Sequence, residues 1–184
     1  MTSETVQIDP GDAAGFRSWL VGNHAVAGGV WVVLWKRSTG HPSITLSDAV
    51  DQALCFGWVD SKGESIDDQR WRLYLSRRKP GSGWSKVNKD KVARLAAGGQ
   101  MARPGAEVIE RARTDGSWAL LDGPESGLVP DDLAVALDRS DLRGAYDGLP
   151  PSAQKAILTS LALAKGEATR ARRIDRALAE LGTG

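Results

Sequence analysis

Apolar positions follow two different periods along this chain. Between Asp12 and about Gly22, Phe16, Trp19 and Leu20 share one face at helical spacing, which predicts an amphipathic helix. Gly28-Gly29 interrupts that pattern. Val30 to Trp35 is then continuously apolar and rich in β-branched residues, the composition of a central strand covered on both faces. After a polar turn over Ser38 to Ser43, Thr45 and Asp48 form a capping box in which Asp stands for the usual Glu, and Leu46, Ala49, Val50, Ala53 and Leu54 fall on one face of the following helix. Trp71, Leu73 and Leu75 alternate with Arg70, Arg72 and Tyr74, the period of a half-buried strand with a displayed basic face. A β-prone stretch from Thr5 to Ile8 and a short strand over Phe56 to Val59, ending at Asp60, complete the predicted strands.

Turn residues punctuate the rest. Ser76 to Gly83 holds Pro80, Gly81 and Gly83 and predicts a loop, after which Ser85 can cap a helix reaching about Ala97, where Gly98-Gly99 ends it. Pro104 suits the first turn of a helix running to about Arg113 and closed by Asp115-Gly116. Leu121 to Val129, with Gly123, Pro124, Ser126 and Gly127, has the composition of a linker. Beyond it the pattern is helical throughout. Pro151 opens a helix bearing Ala153, Ile157, Leu158 and Leu161, and a last helix carries Ala171, Ile174, Leu178 and Leu181, with Arg170, Arg172, Arg173 and Arg176 mostly off that stripe. The expected fold is α+β, a small mixed β-sheet with packed helices over residues 1–122 followed by an all-helical C-terminal domain over residues 123–184.

Composition narrows the function classes. The 184 residues carry 24 Lys and Arg against 23 Asp and Glu, a net charge of +1, so no global field draws nucleic acid or an acidic membrane, and recognition must come from local patches. A single cysteine, Cys55, excludes an internal disulfide; it could serve as a nucleophile, but its place after Ala53-Leu54 with no base nearby in sequence is that of a small core residue. His24, His41 and Cys55 have no standard zinc-ligand spacing, so no metal or cofactor is expected. Gly81-Ser82-Gly83-Trp84-Ser85-Lys86 lacks both the Walker spacing and the third glycine of a dinucleotide fingerprint. The N-terminus has neither a basic start nor an apolar core, and the longest apolar run, Val30 to Trp35, is too short to span a bilayer. A cytoplasmic protein without membrane insertion is expected.

The candidate chemistry lies between Asp51 and Lys91. From Arg70 onward this segment gathers Arg70, Arg72, Arg77, Arg78, Lys79, Lys86, Lys89 and Lys91 against Asp90 alone. The expected partner is therefore an anionic small molecule or an anionic protein surface. Backbone amides at Gly81 and Gly83, with the helix start at Ser85, would form an anion seat flanked by Arg77, Arg78 and Lys86, and the indole of Trp84 could cover an apolar or stacking part of the ligand. A ligand surface of Trp58, Asp60, Arg72, Arg77, Arg78, Trp84, Ser85 and Lys86 follows, set against the plainer reading in which Trp84 staples the loop and the cations are solvated. Two alternatives stand beside non-enzymatic binding. Asp60, emerging from an apolar strand, could act as general acid or base on a carboxylate or phosphate substrate at the floor of a pocket, or simply form a turn before Ser61-Lys62-Gly63. Arg70, Arg72 and Trp84 could bind nucleic acid, a reading that the near-zero net charge weakens.

ALCFGWVDSK, RWRLYLSRRKPGSGWSKVNKDKVARL, GQMARPGAEVIERARTDGSW and the C-terminal LPPSAQKAILTSLALAKGEATRARRIDRAL together resemble the YdeI/OmpD-associated bacterial proteins, whose pattern runs near ALCFGWIDG, RFTPRRP and SxWSKxN. The C-terminal segment resembles the helical OmdA domain. Ser61 stands where that family usually has Gly, and Leu73-Tyr74-Leu75-Ser76 replaces its Phe-Thr-Pro element. The resemblance marks Cys55, Phe56, Gly57, Trp58, Asp60, Arg77, Arg78, Pro80, Trp84, Ser85, Lys86 and Asn88. It implies a role in bacteriocin or antimicrobial-peptide tolerance and stress resistance, without an established reaction.

Overall fold

The computed structural model describes residues 6–183, and the chain forms two compact units. One comprises the chain up to Ser82 together with Val87–Asp115; the other comprises Gly83–Lys86 and the chain from Gly116 onward.

The first unit is built on a four-stranded mixed sheet of β1 (Gln7–Ile8), β2 (Gly29–Trp35), β3 (Trp58–Ser65) and β4 (Arg70–Arg77), in the order β1-β2-β4-β3. Only β1 and β2 run parallel. The apolar run Val30 to Trp35 lies centrally, as its composition predicts. The expected strand start at Thr5 falls outside the described residues. Helices α1 (Ala13–Asn23), α2 (Leu46–Cys55), α3 (Lys86–Ala97) and α4 (Arg103–Thr114) follow the predicted spacing. Asp12 caps α1 by accepting the Gly15 N–H at 2.7 Å. At α2, Thr45 Oγ1 caps the helix by accepting the Asp48 N–H at 3.1 Å, and the Asp48 carboxylate accepts the Thr45 hydroxyl at 2.7 Å in place of the backbone N–H that a longer Glu would reach.

Two local expectations change. The residues after Asp60 form no turn: β3 continues to Ser65, with a register irregularity between Asp60 and Lys62, because pairing with β4 overrides the weak strand preference of Asp-Ser-Lys-Gly-Glu-Ser. The turn-forming acid is Asp67, whose carboxylate accepts the N–H groups of Gln69 at 2.9 Å and Arg70 at 2.6 Å. The apolar face of α2 also hides a charge. Asp51 is buried between Lys91, at 2.6 Å, and the guanidinium of Arg94, so α2 and α3 are joined through an ionic contact as well as through packing.

The second unit is helical among its described residues. The stretch Leu121 to Val129, expected as a linker, contains a short helix α5 (Asp122–Ser126) with Pro124 buried and Gly127 closing it at a positive φ of 73°. Then come α6 (Asp131–Arg139), α7 (Arg143–Asp147), α8 (Pro151–Ala162) and α9 (Glu167–Gly182), packed around Leu133, Leu137, Tyr146, Leu158, Leu161 and Ile174. Arg170 joins α9 to α6 and α8 by donating to the Asp132 carboxylate at 2.5 and 2.8 Å and to the Leu161 carbonyl at 3.0 Å. No helix is long and apolar enough to cross a membrane among the described residues.

Candidate functional site

Strand β4 carries the cations that the sequence singles out, and its two ends treat them differently. Successive side chains of a strand point to opposite faces. Arg70, Arg72 and Tyr74 therefore share one face with Trp31, Val33 and Trp35 of β2, opposite which they pair. The cations of this face stay in part exposed, Lys62 at 59%, Arg70 at 40% and Arg72 at 33% of their side chains, but each is matched within the protein. The Arg72 guanidinium lies 4.3 Å from the Trp31 ring centroid and Lys62 lies 4.9 Å from it, leaving Trp31 8% exposed, while Arg70 lies 5.2 Å from the Trp35 ring. Each cation also meets a carboxylate: Arg72 and Lys62 reach Glu64 at 2.8 Å, and Arg70 reaches Asp67 at 2.6 Å. Hydrogen bonds from Lys62 and then Arg72 hold the Glu64 carboxyl below its ordinary range, and those from Arg70 do the same for Asp67. Arg70 and Arg72, the residues of the nucleic-acid reading, therefore already meet rings and carboxylates of the sheet.

At the other end of β4 a cleft of about 640 Å³ opens within the first unit. Phe56, Gly57 and Trp58 line it on one side and Arg77, Arg78, Lys79 and Pro80 on another, so two motifs twenty residues apart in sequence meet. The pairing of Trp58 with Arg77 and a bond from the Arg78 N–H to the Gly57 carbonyl at 3.0 Å bring them together. Gly57 has φ of 75°, and a Cβ there would meet Val108 of α4 at 2.7 Å, so glycine is required both for the turn and for the approach of α4. Closer still, a Cβ on Gly105 would lie 2.2 Å from the Cys55 carbonyl oxygen. Helix α4 thus rests directly on the end of α2.

The walls bring residues that the sequence motifs miss. Pro104, Glu107, Val108 and Arg111 form one face of α4 at spacings of three and four, and His24 lies at the end of α1. That helical face is readable from sequence, but nothing local tells which element it meets. His24 donates from Nδ1 to the Leu20 carbonyl at 2.9 Å, since a carbonyl can only accept. Arg77 donates to the Ala25 carbonyl at 3.1 Å. Among the lining groups Arg77, Arg78, Lys79 and Arg111 are positive, and the one carboxylate, Glu107, is bonded to Arg103 at 2.7 Å. Arg78 is 8% exposed, and burial pushes its guanidinium down to about 10, with the Asp60 carboxylate acting in the opposite direction. It stays charged at neutral pH, and its Nη1 donates to the Ser82 carbonyl at 3.4 Å.

The remaining predicted residues lie elsewhere. Trp58 is 1% exposed, edge-on to Trp19, so it supplies wall and not an open stacking ring. Asp60 is absent from the cleft lining; it sits within β3 and acts on Arg78 through its charge. Arg72, five residues before Arg77, faces the opposite side of the sheet and cannot share its ligand. Trp84 belongs to the second unit, is 1% exposed and lies 5.0 Å from Trp118, so it is a core residue and offers no stacking surface. The seat expected around Ser85 and Lys86 is filled from within: the Lys86 N–H donates to the Glu125 carboxylate at 3.4 Å, and Lys155 holds the same carboxylate at 2.6 Å. Lys155 first, then the Lys86 amide, keep Glu125 below its ordinary range against the opposing effect of burial. Burial pushes the Cys55 thiol up, the opposite of what a nucleophile requires.

Among the described residues no group of three or more His, Cys, Asp or Glu is placed to hold a metal ion. Residues 8–108, which include all of the cleft except Arg111, match the model of a family described as a Domain of unknown function (DUF8412), and residues 128–184 match the OmdA model, described as Bacteriocin-protection, YdeI or OmpD-Associated. No curated protein and no solved structure matches the chain. The C-terminal match is to the family that the sequence resembles, the first match spans more than half of the chain, and the protein therefore belongs to the DUF8412 family and carries an OmdA domain of the YdeI/OmpD-associated type at residues 128–184.

Proposed function

We propose that the protein is a non-enzymatic binder of a small oxyanion, a phosphate or carboxylate group, in the cleft beside the end of β4, and that it serves bacteriocin or stress tolerance, as the description of its OmdA match suggests. The observation that carries this reading is the convergence of Arg77, Arg78, Lys79 and Arg111 on one concavity whose single carboxylate is already engaged by Arg103. A buried guanidinium is poorly hydrated, so an anion replaces little water and gains a strong, directional bond. Arg77 and Arg111 come from different elements, strand and helix, which fixes their spacing.

The test is calorimetric titration with inorganic phosphate at constant ionic strength. The wild-type chain should bind, and the Arg77→Ala/Arg111→Ala double variant should lose affinity by about tenfold or more, the loss expected of a hydrogen bond to a charged group. Its thermal midpoint should stay close to that of wild type, because both substitutions lie at the surface end of the cleft. Equal phosphate affinity in the two proteins would overturn the assignment.

A further inference from the structure

A second cleft, of about 500 Å³, opens at the opposite end of β2, between the segment following Trp35 and the start of α2. It is separate from the Arg77 cleft, because Trp35 and Leu34 pair with Arg70 and Trp71 at the beginning of β4, whereas Arg77 ends that strand. Its floor is apolar. Leu34 and Ile44 are buried beneath it, Trp71 is partly exposed on one side, and Leu46 stands at the mouth 47% exposed. Lys36 and Arg37 are its cations, and no Asp or Glu lines it. The Arg37 guanidinium has no hydrogen bond or ion pair among the described residues, and Lys36 makes one long contact of 3.5 Å, to the Asp67 carbonyl.

The wall bearing those cations is held in place before any ligand arrives. The Trp35 backbone N–H donates to Ser43 Oγ at 2.9 Å and its indole N–H donates to Asp9 at 2.9 Å, while its ring stacks on His41 at 3.9 Å and 14°. His41 in turn donates from Nδ1 to the Pro42 carbonyl at 2.7 Å, and Thr39 Oγ1 bridges the Lys36 carbonyl and the His41 N–H at 2.8 and 3.1 Å. Gly40 turns this segment at a φ of 67°. Fixed walls reduce the ordering that binding must otherwise impose. The start of α2 contributes no open anion site, since Thr45 and Asp48 already cap it.

We infer that this cleft binds a small amphipathic monoanion, an aryl or alkyl carboxylate, with its hydrocarbon part over Leu34, Ile44 and Trp71 and its carboxylate at Lys36 and Arg37. A hydrophilic anion leaves the apolar floor in water, and a neutral hydrocarbon leaves the two cations unmatched. The carboxylate satisfies both, and the volume falls in the usual range of about 300–1,000 Å³ for small-molecule sites.

Benzoate is a suitable probe, titrated into ¹⁵N-labelled full-length protein. It should shift the amide and indole signals of Trp35, Arg37, Ile44 and Leu46, and the Lys36→Ala/Arg37→Ala variant should bind it about tenfold or more weakly. Leu46→Asp, which places a like charge at the mouth on an exposed helix start, should weaken it further. Both variants should keep wild-type affinity for inorganic phosphate, and in Arg77→Ala/Arg111→Ala the benzoate affinity read at the Trp35, Arg37, Ile44 and Leu46 signals should stay at the wild-type value even where the Arg77 cleft has lost its own carboxylate, so the two clefts can fail separately. Acetate or benzyl alcohol binding as tightly as benzoate would overturn the inference, as would benzoate shifts confined to other regions or an undiminished affinity in the Lys36/Arg37 variant.

Discussion

The two ends of β4 hold cations of the same kind in opposite conditions. Over the first half of the strand, Arg70 and Arg72, with Lys62 beside them, lie on tryptophan faces and against Glu64 and Asp67. At its end, Arg77 and Arg78 face a concavity whose one acid is already engaged. The first arrangement covers the sheet face with the stems and planes of charged side chains. The second leaves a positive field over an open volume. A count of cations per segment does not separate these cases; what separates them is which aromatic and acidic residues the strand register places opposite each one.

Removing the aromatic platform should break this comparison most severely. Trp31→Ala takes away the ring beneath Arg72 and Lys62 and opens a cavity in a nearly buried site, with an expected loss of about 3–5 kcal/mol in urea denaturation. A functional contrast follows, smaller in free energy. Arg77→Ala alone should weaken phosphate binding several-fold, whereas Arg72→Ala should leave it unchanged, and equal losses in the two variants would erase the distinction between the ends of the strand. The smallest effect concerns pH. Glu64 is held below its ordinary value of 4.5, so its contribution to stability is complete above that pH and is lost as the pH falls through the depressed folded value. Thermal midpoints of wild type and Glu64→Gln should therefore differ at pH 6 and converge as the pH drops below 4.5; a constant difference would show that Glu64 acts by shape alone.

The elements legible in the sequence are those whose signals are local. The β-branched run of β2, the alternation of β4 and the Thr45 to Asp48 box each need only a few neighbouring residues to declare themselves. Strand β3 beyond Asp60 was not legible, because its polar residues become a strand only through pairing with β4, and the glycine and proline of Leu121 to Val129 conceal a short helix stabilised by burial of Pro124. Of the candidate site, Trp58, Arg77 and Arg78 line one cleft, and Phe56, Gly57 and Pro80, marked by the resemblance alone, line it with them. His24, Glu107 and Arg111 arrive from α1 and α4, with no local mark of where those helices pack. Trp84 misled for a physical reason: a tryptophan among cations and glycines resembles a ligand surface, yet burying its large apolar area is more favourable than exposing it. The anion at the Lys86 amide comes from Glu125, thirty-nine residues away, a separation that no motif spans.

Gly105 gives the cleft its width. Helix α4 supplies a wall through Glu107, Val108 and Arg111, and it lies where it does because residue 105 presents only hydrogen toward the Cys55 carbonyl. A single methyl group there would act as a wedge, lifting the helix from its seat and carrying Arg111 away from Arg77. The aperture of the site is therefore gauged from behind, by a position that no ligand touches, and a change of one carbon atom in the core would retune the mouth of the cleft without altering any of its charges.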